Sequence, residues 1–336
     1  MEKIDLKVAT YRYNGRPVEE ITLFGNGSFC VLTAGEKGKV CYLFDERGAA
    51  FLPAQRYFEC GAVLAKGYCL VKESGADEYV LYNKLLEPVC QGIENIQVFA
   101  NDWYELQTGA HKRLFNAEHQ LMAEGYGCCK VFDVGYCLDK DGDGEVWRLY
   151  LPNGRFVGTA TGVIRFLGDG NRLQERADGS QFDVVSFDGQ TIIGDVALDV
   201  RQFSNGRFVV SFKADNSEMM FAPDGQRLGV RVCGELLPDG RSVSFAEPGH
   251  RIVGLYDRRG YRVLAWPWRL QTVGDYYLID AENVAGRLFN DNMEVCGDGY
   301  FPVRAAGCFS LFEREGPELV MFNRQGKVFS SDCLKK

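Results

Sequence analysis

An aromatic residue followed by Asp or Asn, directly or a few residues on and often with Gly close behind, returns along this chain at a nearly fixed interval. The instances fall at Tyr13, Phe44, Tyr82, Phe115, Tyr150, Phe187, Phe221, Tyr256, Phe289 and Phe322. From the first to the last is 309 residues in nine steps, a mean of about 34, with single steps of 31 to 38. A second signature keeps the same period in a different phase: an apolar residue, a turn rich in Asn, Asp or Gly, then an aromatic-rich strand. It is seen from Phe24 (FGNGSFCVL), Phe99 (FANDWYEL), Phe132 (FDVGYCLD), Phe203 (FSNGRFVVSF) and Val273 (VGDYYLID). A unit of this length cannot bury its apolar face alone, so stacked neighbours must bury it for one another. The sequence therefore predicts one array over residues 1–336, of nine to ten units. The length alone would suggest two domains. No linker rich in proline, serine or one sign of charge divides the chain, and the single array is preferred.

Within a unit, GYCLVKE, EYVLYN and EPVCQGIENIQVF alternate apolar and polar residues, as half-buried strands do. The last of these is long enough to break into two short strands. Asp/Asn-Gly pairs between strands tolerate the left-handed backbone that tight hairpins require. With 39 glycines against 10 prolines, and no window of sustained helical spacing, the chain reads as all-β with almost no helix. A propeller-like arrangement is preferred to an open β-solenoid, because closure hides strand edges. Nine or ten blades would exceed the usual four to eight.

A formal charge of −8 and the lack of a basic stripe disfavour nucleic-acid binding. No apolar run approaches the ~18 residues of a membrane span. The opening MEKIDLKVATYRYNG has no apolar signal-peptide core, so a cytoplasmic location is expected. The 12 cysteines sit at apolar strand positions such as Cys30, Cys41, Cys69, Cys137 and Cys308, which predicts reduced thiols packed as small hydrophobes. The sequon at Asn26 falls in a turn and carries no weight without a secretory signal.

The Gly-aromatic strand, the aromatic-Asp-x-x-Gly turn and the apolar-turn-Gly segment together resemble the bacterial WG-repeat proteins, whose tandem units have about this length. The resemblance runs over nearly the whole chain. It departs at the Trp-Gly dipeptide, since Trp103, Trp147, Trp266 and Trp268 are none of them followed by Gly. A looser similarity exists to propeller blades of the quinone-enzyme type. The family likeness implies a repeat scaffold and carries over no catalytic residue.

Candidate sites are few. Asp139-Lys140-Asp141-Gly142-Asp143-Gly144 opens like a calcium loop, but the twelfth position is Tyr150 rather than the bidentate Glu. A solvated acidic turn is the expected reading, with no metal and no cofactor. His111, His119 and His250 lie in polar stretches and read as surface residues, although His111 and His119 could meet across a hairpin. Ala265-Trp266-Pro267-Trp268 is the segment most out of place. Trp266 and Trp268 would share one face of an extended chain, and proline marks an edge or an interruption. The pair is either core filling or a binding patch, and it is the candidate binding site. No nucleophile motif, Walker loop or HExxH is present. The expected function is a non-catalytic scaffold for a protein or peptide partner. The alternatives are a glycan hydrolase or lyase built from Asp and Glu at a central axis, and a carbohydrate-binding module.

Overall fold

The computed structural model describes the chain except residues 7–10, 36–37, 52–57, 162–163, 168–169, 176–181, 197–198, 204–206, 213–217, 230–234, 247–250, 265–267, 281–284, 291, 293, 307–308, 315–317, 324 and 332–336. The described residues are all-β. The one helical turn among them is Ala65–Gly67. The chain folds as small antiparallel meanders in tandem, propeller-like in their four-strand plan.

The second meander is Phe58–Val63, Cys69–Glu73, Tyr79–Tyr82 and Pro88–Ile93, each strand paired with the next. The third is Asn95–Val98, Tyr104–Thr108, His111–Phe115 and Leu121–Glu124. The fourth runs Cys128–Phe132, Gly135–Asp139, Val146–Tyr150 and Phe156–Thr161; the fifth runs Ile164–Phe166, Arg172–Glu175, Phe182–Val185 and Thr191–Val196. The first meander keeps three full strands, Arg16–Leu23, Phe29–Gly35 and Gly38–Phe44. Beyond them the described residues show a bridge between Phe44 and Ala50, and Phe51 N donates to Leu43 O. An extra strand, Glu2–Asp5, pairs along Arg16–Leu23. The predicted long strand EPVCQGIENIQVF does break in two, and the break at Glu94 is the boundary between meanders.

The recurring aromatic-Asx motif is the turn between the third and fourth strands. In the first meander Asp45 N donates to Ala49 O and Gly48 N donates to Asp45 O. The Asp45 carboxylate turns back to accept from the amides of Arg47 and Ala49. Asn83, Asn116, Asp257 and Asn290 make the same pair of side-chain bonds to their own turns. A short polar side chain that mimics the backbone in this way is the reason for Asx at that place. The fourth residue of the turn needs positive φ, and Gly48, Gly154, Gly189, Gly225 and Gly260 supply it. Leu86 (φ 62°) and His119 (φ 63°) stand at the same place without glycine's freedom.

The residues group into two compact units, one of residues 1–125, 273–275 and 299–336, the other of 126–272 and 276–298. In the first unit the opening and closing meanders share one core. Phe29, Phe44, Phe309, Leu311, Met321 and Phe329 are all buried in it. The rings of Phe29 and Phe44 stack at 4.6 Å, and Phe309 meets Phe29 edge-on at 5.9 Å. Asn323 Nδ2 donates to Glu46 O at 2.6 Å, and Arg304 forms an ion pair with Glu2. An open solenoid that kept its two ends apart would make none of these contacts. A second core in this unit joins the first three meanders through Leu32, Leu43, Cys60, Leu70, Ile93 and Leu106. In the second unit, Cys137, Trp147, Leu149 and Phe187 pack under Lys130, which lies 5.1 Å from the Trp147 ring.

Candidate functional site

The Asp139 loop is closed on itself. Asp139 ends the strand Gly135–Asp139 and is almost wholly buried. Its carboxylate accepts from Asp141 N at 3.0 Å and Gly144 N at 2.6 Å, and Trp147 Nε1 donates to Gly144 O. Burial works to raise its pKa. The amides of Gly144, Gly142 and Asp141 and the Cys128 thiol outweigh burial and hold the carboxyl below its ordinary value. The oxygen that would be a cation's first ligand is thus engaged by backbone N–H groups. Calcium at about millimolar concentration should leave Tm unchanged, which a thermal melt with and without the ion checks. Because the folded pKa is depressed, this bond set stabilises above the unfolded pKa and is lost as pH falls through the folded one. The acid limb of a Tm–pH profile should therefore be shallower in Asp139→Asn.

His119 is a different matter from the surface residue that its polar surroundings predict. Its ring stacks on Tyr68 at 3.7 Å between centroids. Nδ1 lies 3.1 Å from Tyr104 Oη, and Nε2 lies 3.1 Å from Ala65 O. The neutral ring with its proton on Nε2 satisfies both contacts, donating to the carbonyl and accepting from the hydroxyl. Beside it Lys66, itself at φ 56°, pairs with Glu118. The imidazole thus ties the last turn of the third meander to the first turn of the second. His111 does not meet it: His111 opens the strand His111–Phe115, and His119 lies beyond the strand's other end. Burial lowers the His119 pKa and the Lys66 charge adds to this, while the Ala65 carbonyl and Asp102 act against them. A lowered folded pKa means the unfolded chain takes up a proton first. Stability should fall as pH drops from about 6.5 toward the folded pKa. Thermal melts at pH 7.5 and 5.0 check this, and His119→Gly should shrink the difference.

Five of the thiols are shut away from solvent. Cys30, Cys41, Cys60, Cys69 and Cys137 are buried and outside any disulfide. Desolvation pushes Cys137 up to about 12 and Cys60 up to about 11, where Cys60 Sγ sits 3.3 Å from Tyr79 Oη. Cys308 lies outside the described residues. The sequon residue Asn26 is buried, with its amide donating to Val63 O and Asp102 Oδ1.

Trp266 and His250 lie outside the described residues. Trp268 opens the strand Trp268–Val273, and its side chain lies outside the described residues. Among the described residues no group of three or more His, Cys, Asp or Glu is arranged to hold a metal ion.

The sequence gives no warning of an open groove of about 630 Å³ in the third meander. Thr108, His111, Arg113, Glu124 and Gly125 line it. Strand register sets this lining: Thr108 lies opposite His111, Leu106 opposite Arg113, and Arg113 opposite Glu124. A bulge between Leu114 and Phe115 fixes that last pairing. Directly opposed residues share a face, so one arginine, one histidine and one carboxylate project from the same side. Cys90 of the second meander lies 3.7 Å from Arg113 Nη2.

No family model matches the chain, and no curated protein matches it. Among solved structures it is similar to a crystal structure described as the eukaryotic initiation factor, at 13% identity and TM-score 0.40, covering 95% of this chain and 89% of that one. It is also similar to BamB from Moraxella catarrhalis (10%, TM-score 0.31, covering 93% and 95%) and to a streptogramin B lyase (12%, TM-score 0.27, covering 78% and 95%). Likenesses of this size carry no argument about chemistry. The fold class stands on the strand pairings.

Proposed function

We propose that the chain is a non-catalytic interaction scaffold that binds a protein or peptide partner, a repeat protein of the WG kind. One observation carries this reading. The first residue after the turn into the last strand of a meander is a large apolar side chain left in solvent in three meanders: Leu121 at 51% exposure, Phe156 at 53%, and Val295 at 58%, which opens the strand Val295–Ala306 after Tyr276–Asp280 and Gly286–Phe289. Each follows the same hydrogen-bonded turn, closed on Gln120, Arg155 and Glu294 respectively. Leu121–Glu124 and Phe156–Thr161 are sheet edges, where backbone donors and acceptors stand open to another chain. A scattered exposed Leu needs no explanation. Leu, Phe and Val at the same turn position of three separate sheets are each an apolar contact point of the kind a partner chain docking on that sheet would use.

The polar side chains fit the same reading. Asp45, Asp139, Asp257 and His119 hold their own turns and neighbours. The groove of the third meander has a single carboxylate, not the convergent pair that glycan cleavage needs.

The test is quantitative affinity capture with the wild type and with Leu121→Ser, Phe156→Ser, Val295→Ser combined. The triple variant should keep its Tm within about 2 °C, since exposed sites contribute little to stability. It should lose a protein that the wild type retains and that rebinds wild type when purified. Turnover of a polysaccharide by the wild type would replace this reading with the hydrolase or lyase alternative.

A further inference from the structure

We propose that the groove of the third meander is a binding site for a small zwitterion, a molecule carrying one carboxylate and one ammonium group. This goes beyond the scaffold reading and does not depend on it.

The argument starts from two opposite charges that do not meet. Arg113 and Glu124 are cross-strand partners on one face, so their Cβ atoms stand about 5 Å apart. A long arginine facing a glutamate at that distance ordinarily closes an ion pair. Here the Arg113 guanidinium is drawn across to Cys90 Sγ of the neighbouring meander. Among the described residues no ion pair within 4 Å includes Arg113 or Glu124. The other charges of this sheet are occupied on its opposite face, where Lys112 pairs with Glu105 at 3.6 Å. The open space of about 630 Å³ lies where Arg113 and Glu124 line one groove, a volume within the usual range for small-ligand sites.

A third group points the same way. Thr108 lines this groove, and its Oγ1 is out of solvent with no hydrogen-bond partner. A buried hydroxyl without a partner is uncommon in a native fold and calls for one. His111, opposite Thr108 in register, adds a second nitrogen donor beside Arg113. The lining thus offers donors for a carboxylate at Arg113 and His111, with the Thr108 hydroxyl behind them, and one acceptor for a cation at Glu124. An anion alone would meet Glu124 unfavourably, and a cation alone would meet Arg113. A ligand that carries both charges satisfies both, with the guanidinium fork suited to a carboxylate.

The source of such a ligand is a free amino acid or the two ends of a short peptide, and the experiment separates them. The full chain is titrated by calorimetry with glycine, 4-aminobutanoate, 6-aminohexanoate and diglycine. Acetate and butylamine serve as single-charge controls. At least one zwitterion should bind saturably with Kd on the order of millimolar, as a few polar contacts in an open groove allow. Acetate and butylamine should bind at least about tenfold more weakly. Arg113→Ala and Glu124→Gln should each weaken the zwitterion about tenfold while leaving Tm in place. Preference for diglycine marks a peptide ligand, and preference for an ω-amino acid marks a free one; either supports the site. No saturable binding by any zwitterion would overturn the proposal. So would binding that both variants retain, or binding that acetate or butylamine reproduces. None of these results bears on partner capture by the edge positions Leu121, Phe156 and Val295, so the two readings fail separately.

Discussion

Gly48→Ala should destabilise the protein by about 4 kcal/mol, whereas Gly75→Ala should remove only about 1. The two glycines have nearly the same backbone, with φ at 77° and 82°. A side chain therefore pays a similar left-handed penalty at each. The space around them differs. A Cβ on Gly75 meets nothing within 4 Å, while one on Gly48 would sit 2.0 Å from Val328 O and 2.8 Å from Val328 C. Val328 belongs to Gly326–Ser330, the last strand of the closing meander. The excess of Gly48→Ala over Gly75→Ala thus measures how closely the turn of the first meander seats against the last. Denaturant midpoints at a common m-value give the comparison. Equal losses at both sites would mean that this seating does not exist.

Asn26→Ala should cost about 3 kcal/mol, and Asn26→Asp at least as much. The Asn26 amide joins three meanders. Nδ2 donates to Val63 O at 2.8 Å and to Asp102 Oδ1 at 2.7 Å. Oδ1 accepts from Ser28 N at 3.1 Å and from Ser28 Oγ at 2.8 Å. Alanine leaves the buried Ser28 hydroxyl and the Val63 carbonyl without partners. Aspartate keeps the acceptor, loses both donors and sets a second carboxylate against Asp102. Thermal melts of the two variants test the asymmetry, and an aspartate variant as stable as wild type would contradict this account of the cluster.

The turns were legible in the sequence because their chemistry is local. LFDERGA spells out an aromatic strand end, a carboxylate that folds back on Arg47 and Ala49, and a glycine at the position of positive φ. The period followed from the recurrence of that motif. The phase did not, because nothing in EPVCQGIENIQVF marks Glu94 as the seam between meanders. Departures from the motif were visible only as oddities. LFNAEHQ places His119 where glycine belongs, and that substitution is tolerated because the ring is held by Tyr68, Tyr104 and Ala65. The groove was out of reach. Its lining depends on a bulge after Leu114 that aligns Arg113 with Glu124, and on Cys90, which comes from another meander. The acidic loop read as a cation site by spacing alone, and only the direction of the Asp139 carboxylate shows that its oxygens serve the loop itself.

The fold's central claim is that the opening and closing repeats share one core, and a double-mutant cycle between Phe29 and Phe309 tests it most directly. The two rings are separated by nearly the whole chain and meet edge-on at 5.9 Å. Phe29→Leu, Phe309→Leu and the pair are compared by equilibrium unfolding. Ring contacts of this kind carry about 0.5–1.5 kcal/mol of coupling, so the double variant should be less destabilised than the two single losses added together. Losses that add to within about 0.3 kcal/mol would mean the rings do not touch, and the two ends of the array would not be packed together as described.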